Sequence, residues 1–275
     1  MGMQTKHSGG SRYYFDEDAP ETKYPGVTSV IDLLGKPFLQ HWSAKMAAEL
    51  AVDSLDILGP MAERDRAGAV NYVKGAASRY SKRRSSVGSE AHVLFEKMIR
   101  NQHIGRVHPD MVPYHRNFAA FLDALQPELV RAEDVVWSAE HEYAGSFDGI
   151  VKLKLDENGK PDPQGEAATV MVDWKTGKDT YPEVALQLAA YRFAEEVIDA
   201  EGVRSPMPET DGAMVLHITD QQATFKPVET SEWVFNYFLA LRMLFGWQTI
   251  DSRKVLGDPI WTTAAQQTGT ERRAK

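Results

Sequence analysis

Three short segments in the middle of the chain decide its fold: 145–151 (GSFDGIV), 172–178 (VDWKTGK) and 187–191 (QLAAY). The first two are rich in aromatic and β-branched residues, which favour strands. Successive side chains of a strand point to opposite faces, so the first strand has an apolar face and a polar face. The residues predicted on the apolar face are Phe147, Val151, Leu153 and Leu155. Those predicted on the polar face are Asp148, Lys152 and Lys154. It predicts a half-buried strand that carries a carboxylate.

Turn-forming residues separate these two strands. The segment 156–167 (DENGKPDPQGEA) is dense in Asp, Asn, Gly and Pro, which favour tight reversals of the chain. The strands on its two sides, 145–155 and 168–177, are therefore predicted to pair as a hairpin.

A helix and a second strand pair are predicted after the hairpin. Thr180 and Glu183 fit a capping box with Pro182 in the first turn, and an apolar stripe continues the helix over about 182–199. The segment 212–228 has the composition of another β pair.

Five polar side chains are predicted to converge on this hairpin and helix. Asp148 lies beside Asp173 if the strands pair, and Lys175 shares the face of Asp173 because the two are two residues apart. Gln187 and Tyr191 are four residues apart and share a helix face. Neighbouring carboxylates repel each other unless a cation lies between them. The sequence therefore predicts a Mg²⁺ or Mn²⁺ site suited to metal-assisted phosphodiester hydrolysis.

The three segments, in this order, resemble the PD-(D/E)XK nuclease superfamily, and the Q-x3-Y helix points to its RecB-like exonuclease branch. In that branch a helix with a G-x3-H-x3-E pattern precedes the strands. The stretch GSEAHVLFE matches this pattern through Gly88, His92 and Glu96. The opening of the chain is similar to small stand-alone phage-encoded exonucleases, and the main resemblance covers about 88–228.

The resemblance implies a role for each matching residue. The implied metal ligands are His92, Asp148, Asp173 and the backbone carbonyl of Trp174. The implied catalytic residues are Asp148, Asp173 and Lys175, where the lysine assists attack of water on phosphorus. Gln187 and Tyr191 would position the substrate strand or the lysine, and Glu96 would support the site.

The fold implied by the resemblance is α/β (α+β). It is a restriction-endonuclease-like core of α-β-β-β-α-β order, in which helices flank a central mixed β-sheet. One domain is expected over 27–255, divided into a helical N-terminal elaboration (27–130), a β-rich catalytic core (131–228) and a C-terminal helix (230–248). Residues 1–26 lack periodicity and are predicted to form an extended arm, and 256–275 a polar tail.

Composition excludes several other kinds of site. The 275 residues contain no cysteine, which excludes disulfides, thiolate zinc sites and iron–sulfur clusters. The chain lacks a G-x4-G-K-[ST] phosphate loop, so no nucleotide cofactor is expected. No apolar run approaches the roughly 20 residues of a membrane span, so no membrane association is expected. A cytoplasmic location is predicted, in the host cell if the protein is phage-encoded.

The net charge of −8, from 31 basic and 39 acidic residues, argues against a nucleic-acid-binding surface that covers the whole protein. A local basic patch can still bind a polyanion. Such a patch precedes His92 on the predicted helix and consists of Lys82, Arg83 and Arg84. Two interpretations stay open: these residues bind DNA phosphates beside the metal site, or they form an ordinary solvated run.

The expected function is metal-dependent hydrolysis of DNA phosphodiester bonds by an exonuclease that acts at DNA ends in replication, recombination or repair. Two alternatives stay open. One is a structure- or sequence-specific endonuclease on the same fold, and the other is a non-catalytic DNA-binding module. DNA is the expected partner, together with a single-strand-annealing or replication protein and a further copy of this chain.

Overall fold

The computed structural model describes residues 3–261 and 263. Its strands are β1 (Met3–Ser8), β2 (Ser11–Asp16), β3 (Ala19–Pro25), β4 (Glu128–Ala132), β5 (Val135–Ser138), β6 (Tyr143–Ser146), β7 (Gly149–Leu155), β8 (Glu166–Lys175), β9 (Glu196–Ile198), β10 (Arg204–Pro206), β11 (Gly212–Ile218) and β12 (Ala223–Val228). Its α-helices are α1 (Val27–Ile31), α2 (Pro37–Asp53), α3 (Leu55–Arg64), α4 (Arg66–Lys74), α5 (Ala76–Ile99), α6 (Val112–Leu125), α7 (Glu183–Arg192) and α8 (Glu232–Thr249).

A five-stranded mixed sheet occupies the centre of the molecule, in the order β12-β11-β8-β7-β4. β8 pairs antiparallel with β7 and parallel with β11, and the other two pairs are antiparallel. The loop between β7 and β8 is closed by Asp156, whose carboxylate accepts hydrogen bonds from the backbone N–H of Asn158 and Lys160 at 2.9 and 2.7 Å. The predicted hairpin is confirmed, and so is the antiparallel pair predicted over 212–228.

Helices cover both faces of this sheet. α5 and α6 pack on one face, where Phe118 contacts the Trp174 ring of β8. α1, α7 and α8 pack on the other face, where Leu188 and Met171 belong to the same buried cluster. Because neighbouring residues of a strand alternate between faces, Asp173 lies on the α7 side and Trp174 on the α5 side. A mixed sheet flanked by helices, as predicted, is confirmed.

The predicted helix over 182–199 is too long. α7 ends at Arg192, where the N–H groups of Phe193 and Ala194 bond back to the carbonyls of Ala189 and Tyr191. The following residues form β9, which pairs with β5. The predicted capping box is absent as well, because the N-cap is Pro182, which offers no side-chain cap. Pairing with a distant strand outweighs local helical periodicity in this segment.

The extended arm predicted over 1–26 is wrong for residues 3–25. They fold into a three-stranded antiparallel sheet of β1, β2 and β3. Tyr14 of β2 is buried and its hydroxyl lies 3.3 Å from the Ser146 hydroxyl of β6. The ring of Tyr24 on β3 packs against Trp137 of β5 in a tilted arrangement, with ring centroids 4.4 Å apart. Apolar contacts with the rest of the domain therefore hold this segment in place.

The predicted helical part over 27–130 runs into β4, and the predicted C-terminal helix over 230–248 corresponds to α8. The predicted polar tail over 256–275 lies mostly outside the described residues. Among the described residues, the helices are all too short or too polar to cross a membrane.

Candidate active site

Asp148 lies in the two-residue break between β6 and β7, at the end of the central sheet. Its Oδ1 is 3.2 Å from Nδ1 of His92 on α5, and its Oδ2 accepts a hydrogen bond from the backbone N–H of Trp174 at 2.5 Å. The break interrupts the strand alternation, so Phe147 packs in the α7 cluster and not with Val151 as predicted. Asp148 is thereby directed toward α5.

Asp173 and Lys175 lie at the end of β8, where they meet α7. Lys175 Nζ is 2.8 Å from Oδ1 and 2.6 Å from Oδ2 of Asp173, and it donates to Gln187 Oε1 at 3.1 Å. Gln187 Nε2 donates to Asp173 Oδ1 at 2.9 Å and to the Tyr191 hydroxyl at 3.2 Å. The spacing of these four residues in the sequence brings them together in one hydrogen-bonded network.

Glu133 is the acidic residue that sequence reasoning missed. It lies in the turn between β4 and β5 with φ +56°, and its N–H donates to the Asp148 carbonyl at 3.3 Å. His92, Glu133 and Asp148 each offer one ligand atom, and these atoms all lie within 4.8 Å of one another. A glutamate in a surface turn gives no signal in the sequence. Only the pairing of β4 with β7, which aligns Ala132 with Gly149, would have placed it here.

This donor set suits a hard divalent cation. Oε1 of Glu133 is buried and accepts no hydrogen bond from the residues that the structure describes. An ionised oxygen without a partner is costly to bury unless a cation or a proton neutralises it. Carboxylate oxygens and one imidazole nitrogen can hold Mg²⁺ or Mn²⁺. His92, Glu133 and Asp148 are therefore the residues that can hold the metal. The predicted ligand Asp173 does not belong to this group, although its charge acts on His92 and Asp148 acts on it.

The charges in the cluster shift the pKa values of its members. Burial alone would lower the pKa of His92, but the hydrogen bond and charge of Asp148 outweigh it and raise that pKa. Burial raises the pKa of Asp173, against the opposing ammonium of Lys175. Burial and the charge of Asp148 together raise the pKa of Glu133 to about 7. The crowded carboxylates therefore carry an electrostatic strain that a cation would relieve.

Two glycines allow the helices to approach the site closely. A Cβ atom on Gly145 would lie 2.7 Å from Cε1 of Tyr191, so only glycine leaves room for the α7 tyrosine. A Cβ atom on Gly88 would lie 3.2 Å from Oγ1 of Thr176, the residue after β8. The restriction is strict at Gly145, whereas at Gly88 the Thr176 side chain would have to shift slightly.

Glu96 contacts the site indirectly. Its Oε1 accepts a hydrogen bond from Nε of Arg100 at 3.0 Å, one helical turn further along α5. Arg100 in turn donates to the Ala132 carbonyl at 2.6 Å, directly before Glu133. Glu96 therefore orients the arginine that anchors the Glu133 turn.

The structure does not bring the basic residues Lys82, Arg83 and Arg84 into the cluster. All three are exposed on α5, between two and three helical turns before His92. Arg83 precedes His92 by nine residues, or two and a half turns, so the two side chains lie on opposite sides of the helix. Arg83 and Lys82 instead line a groove with Arg79 and His108.

Replacing Glu133 by glutamine is expected to stabilise the metal-free protein at pH 8 and to leave its stability almost unchanged at pH 4. The folded-state pKa of about 7 exceeds the ordinary value of 4.5, so the folded state binds the proton more tightly than the unfolded state does. The contribution of Glu133 to stability is therefore greatest at low pH and is lost as pH rises between those two values. At pH 8 in EDTA, the free energy of unfolding of the variant should exceed that of the wild type by on the order of 1 kcal/mol. Urea unfolding measures this difference.

The same variant should respond less to metal. Mn²⁺ should raise the melting temperature of the wild type, because a ligand that binds the folded state stabilises it, and should raise that of Glu133→Gln less. Glu140→Gln, at an exposed glutamate in the loop after β5, is the matched control. A pH profile and a metal response identical to those of the wild type would show that Glu133 is not a ligand.

No protein-family model matches the chain, and no curated protein is significantly similar to it in sequence.

Proposed function

We propose that this chain is a divalent-metal-dependent deoxyribonuclease of the PD-(D/E)XK type, an exonuclease that acts at DNA ends in replication, recombination or repair. One observation carries the proposal. At one end of the central sheet, His92, Glu133 and Asp148 form a possible cation site, and Lys175 is held beside it by Asp173 and Gln187. The order of the central-sheet strands and their flanking helices supports the proposal. Without the strands of the separate four-stranded sheet, this order is α6, β4, β7, β8, α7 and β11, the α-β-β-β-α-β sequence of such a core.

The proposed metal ligands are His92, Glu133 and Asp148. A bound Mg²⁺ or Mn²⁺ would polarise the phosphoryl group and promote ionisation of the attacking water. The protein residues keep these donors in place: Asp148 is oriented by the N–H of Trp174, and the Glu133 turn is anchored by Arg100.

Lys175 supplies the positive charge of the proposed reaction. The Lys175 side chain is one-third exposed, while the Asp173 side chain that holds its ammonium group is almost fully buried. A cation in a pre-arranged position stabilises the negative charge that develops on phosphorus oxygens in the transition state without a cost of reorganisation. In this proposal the partly exposed lysine would contact the phosphate of a bound phosphodiester.

Gln187 and Tyr191 position this lysine. The amide of Gln187 donates from Nε2 to Asp173 and to Tyr191, and these two bonds fix the orientation of the amide. Its Oε1 is thereby placed to accept a hydrogen bond from Lys175. Tyr191 is buried under Gly145. A rigid tyrosine and an oriented amide thus restrict Lys175 to one arrangement.

The test is digestion of a linear duplex labelled separately at its 5′ and 3′ ends, beside a closed circle, in Mg²⁺, Mn²⁺ or EDTA. Metal-dependent loss of the linear molecule alone would support an exonuclease, and the order of label release would give its polarity. Cutting of the circle would favour the endonuclease. DNA binding without hydrolysis in any divalent metal would overturn the catalytic proposal and favour a binding module.

A further inference from the structure

The outer surface of α8 carries an apolar stripe that no described element covers. Its members are separated by four, three, four and three residues, the spacing of a helix–helix seam. They are Trp233, Tyr237, Ala240, Leu244 and Trp247. The four large side chains are 59, 63, 56 and 51 % exposed, and Ala240 is exposed as well.

The stripe is not needed for the packing of α8 within the chain. The opposite side of the helix already fills the core with Val234, Phe235, Phe238 and Phe245. A helix with one side in solvent normally has charged residues on that side. α8 contains only two charged residues, Glu232 and Arg242, and Arg242 bonds to the carbonyl and carboxylate of Glu142. Tryptophan and tyrosine are the residues most enriched at the energetic centres of protein interfaces.

The order of residues along the stripe points to a second copy of this chain as the occupant. Tryptophan stands at both ends, a large side chain follows at each inner position, and the small Ala240 stands in the middle. A two-fold interface brings the same patch against itself in the opposite direction, so a stripe that reads similarly both ways complements itself. Ala240 at the centre allows the two helices to approach closely. The members of the stripe carry no charge, so such pairing brings no like charges together.

We propose that the α8 stripe is a two-fold interface between two copies of this chain. A hollow beside the stripe, lined by Leu33, Leu244, Trp247 and Ser252, would receive a large side chain of the second copy. The 18-residue helix is about 27 Å long, and a large aromatic side chain buries roughly 150–250 Å². The stripe with the exposed Met243 and Ile250 therefore approaches the roughly 800 Å² per partner of a standard interface.

The first test is the mass of the full chain in solution by light scattering and sedimentation. The wild type should have the mass of two chains at micromolar concentration, and Leu244→Lys should weaken self-association at least about tenfold. Leu55→Lys is the matched control, because Leu55 is 69 % exposed at the start of α3. A monomeric wild type, or dissociation by both variants alike, would overturn the proposal.

The second test uses the absence of cysteine in the 275 residues. Ala240→Cys places one thiol near the proposed two-fold axis, where mild oxidation should link two chains, because a disulfide requires Cα atoms about 4.4–6.8 Å apart. Ala48→Cys, at an exposed alanine of α2, should remain unlinked at the same concentration. Equal disulfide formation by the two variants would contradict the proposal that the α8 stripe forms the interface. A wild type that is monomeric, and whose tryptophan fluorescence changes when 262–275 are removed, would assign the stripe to the chain's own C-terminal segment and overturn the proposal. This truncation keeps Trp261, so the number of tryptophans is unchanged.

Discussion

Lys175→Ala is expected to reduce DNA cleavage by about 10² to 10³-fold while the protein remains folded. The side chain contributes a positive charge held at 2.6 and 2.8 Å from the oxygens of Asp173. Removing one pre-arranged group that stabilises the charge of the transition state lowers the reaction rate by a factor of this size. Asp173→Asn should have a similar effect, because it removes the charge that holds the ammonium. The measurement is the single-turnover rate of label release in saturating Mg²⁺.

Lys152→Ala is the matched control for the loss of a positive charge. Lys152 lies on β7 and pairs with Glu128 at 3.6 Å on the solvent side of the hairpin. An exposed ion pair of this kind contributes little to stability, so neither folding nor cleavage should change much. If Lys175→Ala and Asp173→Asn cleave at the rate of this control, the cluster at the end of β8 is not the catalytic site.

Phe118→Ala is expected to lower the free energy of unfolding by about 3–5 kcal/mol, the largest effect on stability among the substitutions considered. Phe118 has no exposed surface. Its ring stacks on Phe95 of α5 with centroids 4.5 Å apart and meets the edge of Trp174 of β8 at 5.4 Å. The substitution removes buried apolar surface and leaves a cavity where α5, α6 and β8 meet, which adds to the cost.

The measurement is urea unfolding at pH 7, followed by tryptophan fluorescence and circular dichroism together. Phe38→Ala is the control, because Phe38 is 50 % exposed on α2, where its ring stacks on that of the exposed Tyr181. Its cost should stay within about 1 kcal/mol. Similar costs for the two variants would show that the contacts of Phe118 do not hold α5 and α6 to the sheet.

The amino-acid sequence by itself was sufficient to predict the hairpin and the network at its end. Asp173 and Lys175 are neighbours on one strand face, Gln187 and Tyr191 on one helix face, and both pairs follow from the fixed periods of strand and helix. The β7–β8 hairpin was also predictable, because its strands are connected by a short loop of turn formers. These are local relations, in which residues close in sequence determine each other's positions.

Relations between distant segments were decided only by the tertiary structure. Glu133 reaches the cluster because β4 pairs with β7, and residues 3–25 form a sheet because Tyr14 and Tyr24 find partners on β6 and β5. The segment after Arg192 became β9 because β5 offered it a partner. A sequence pattern specifies which face of an element is apolar, but which distant element covers that face depends on the free energy of the whole packed domain.

The same distinction applies to α8 and to the basic residues of α5. The sequence of α8 contains only two charged residues, and the tertiary structure decided that one side fills the core and the stripe from Trp233 to Trp247 stays exposed. The sequence placed Arg83 before His92, and the docking of α5 decided that His92 faces Asp148. Helical periodicity determines relative directions, whereas only packing against the sheet determines which of those directions points to the site.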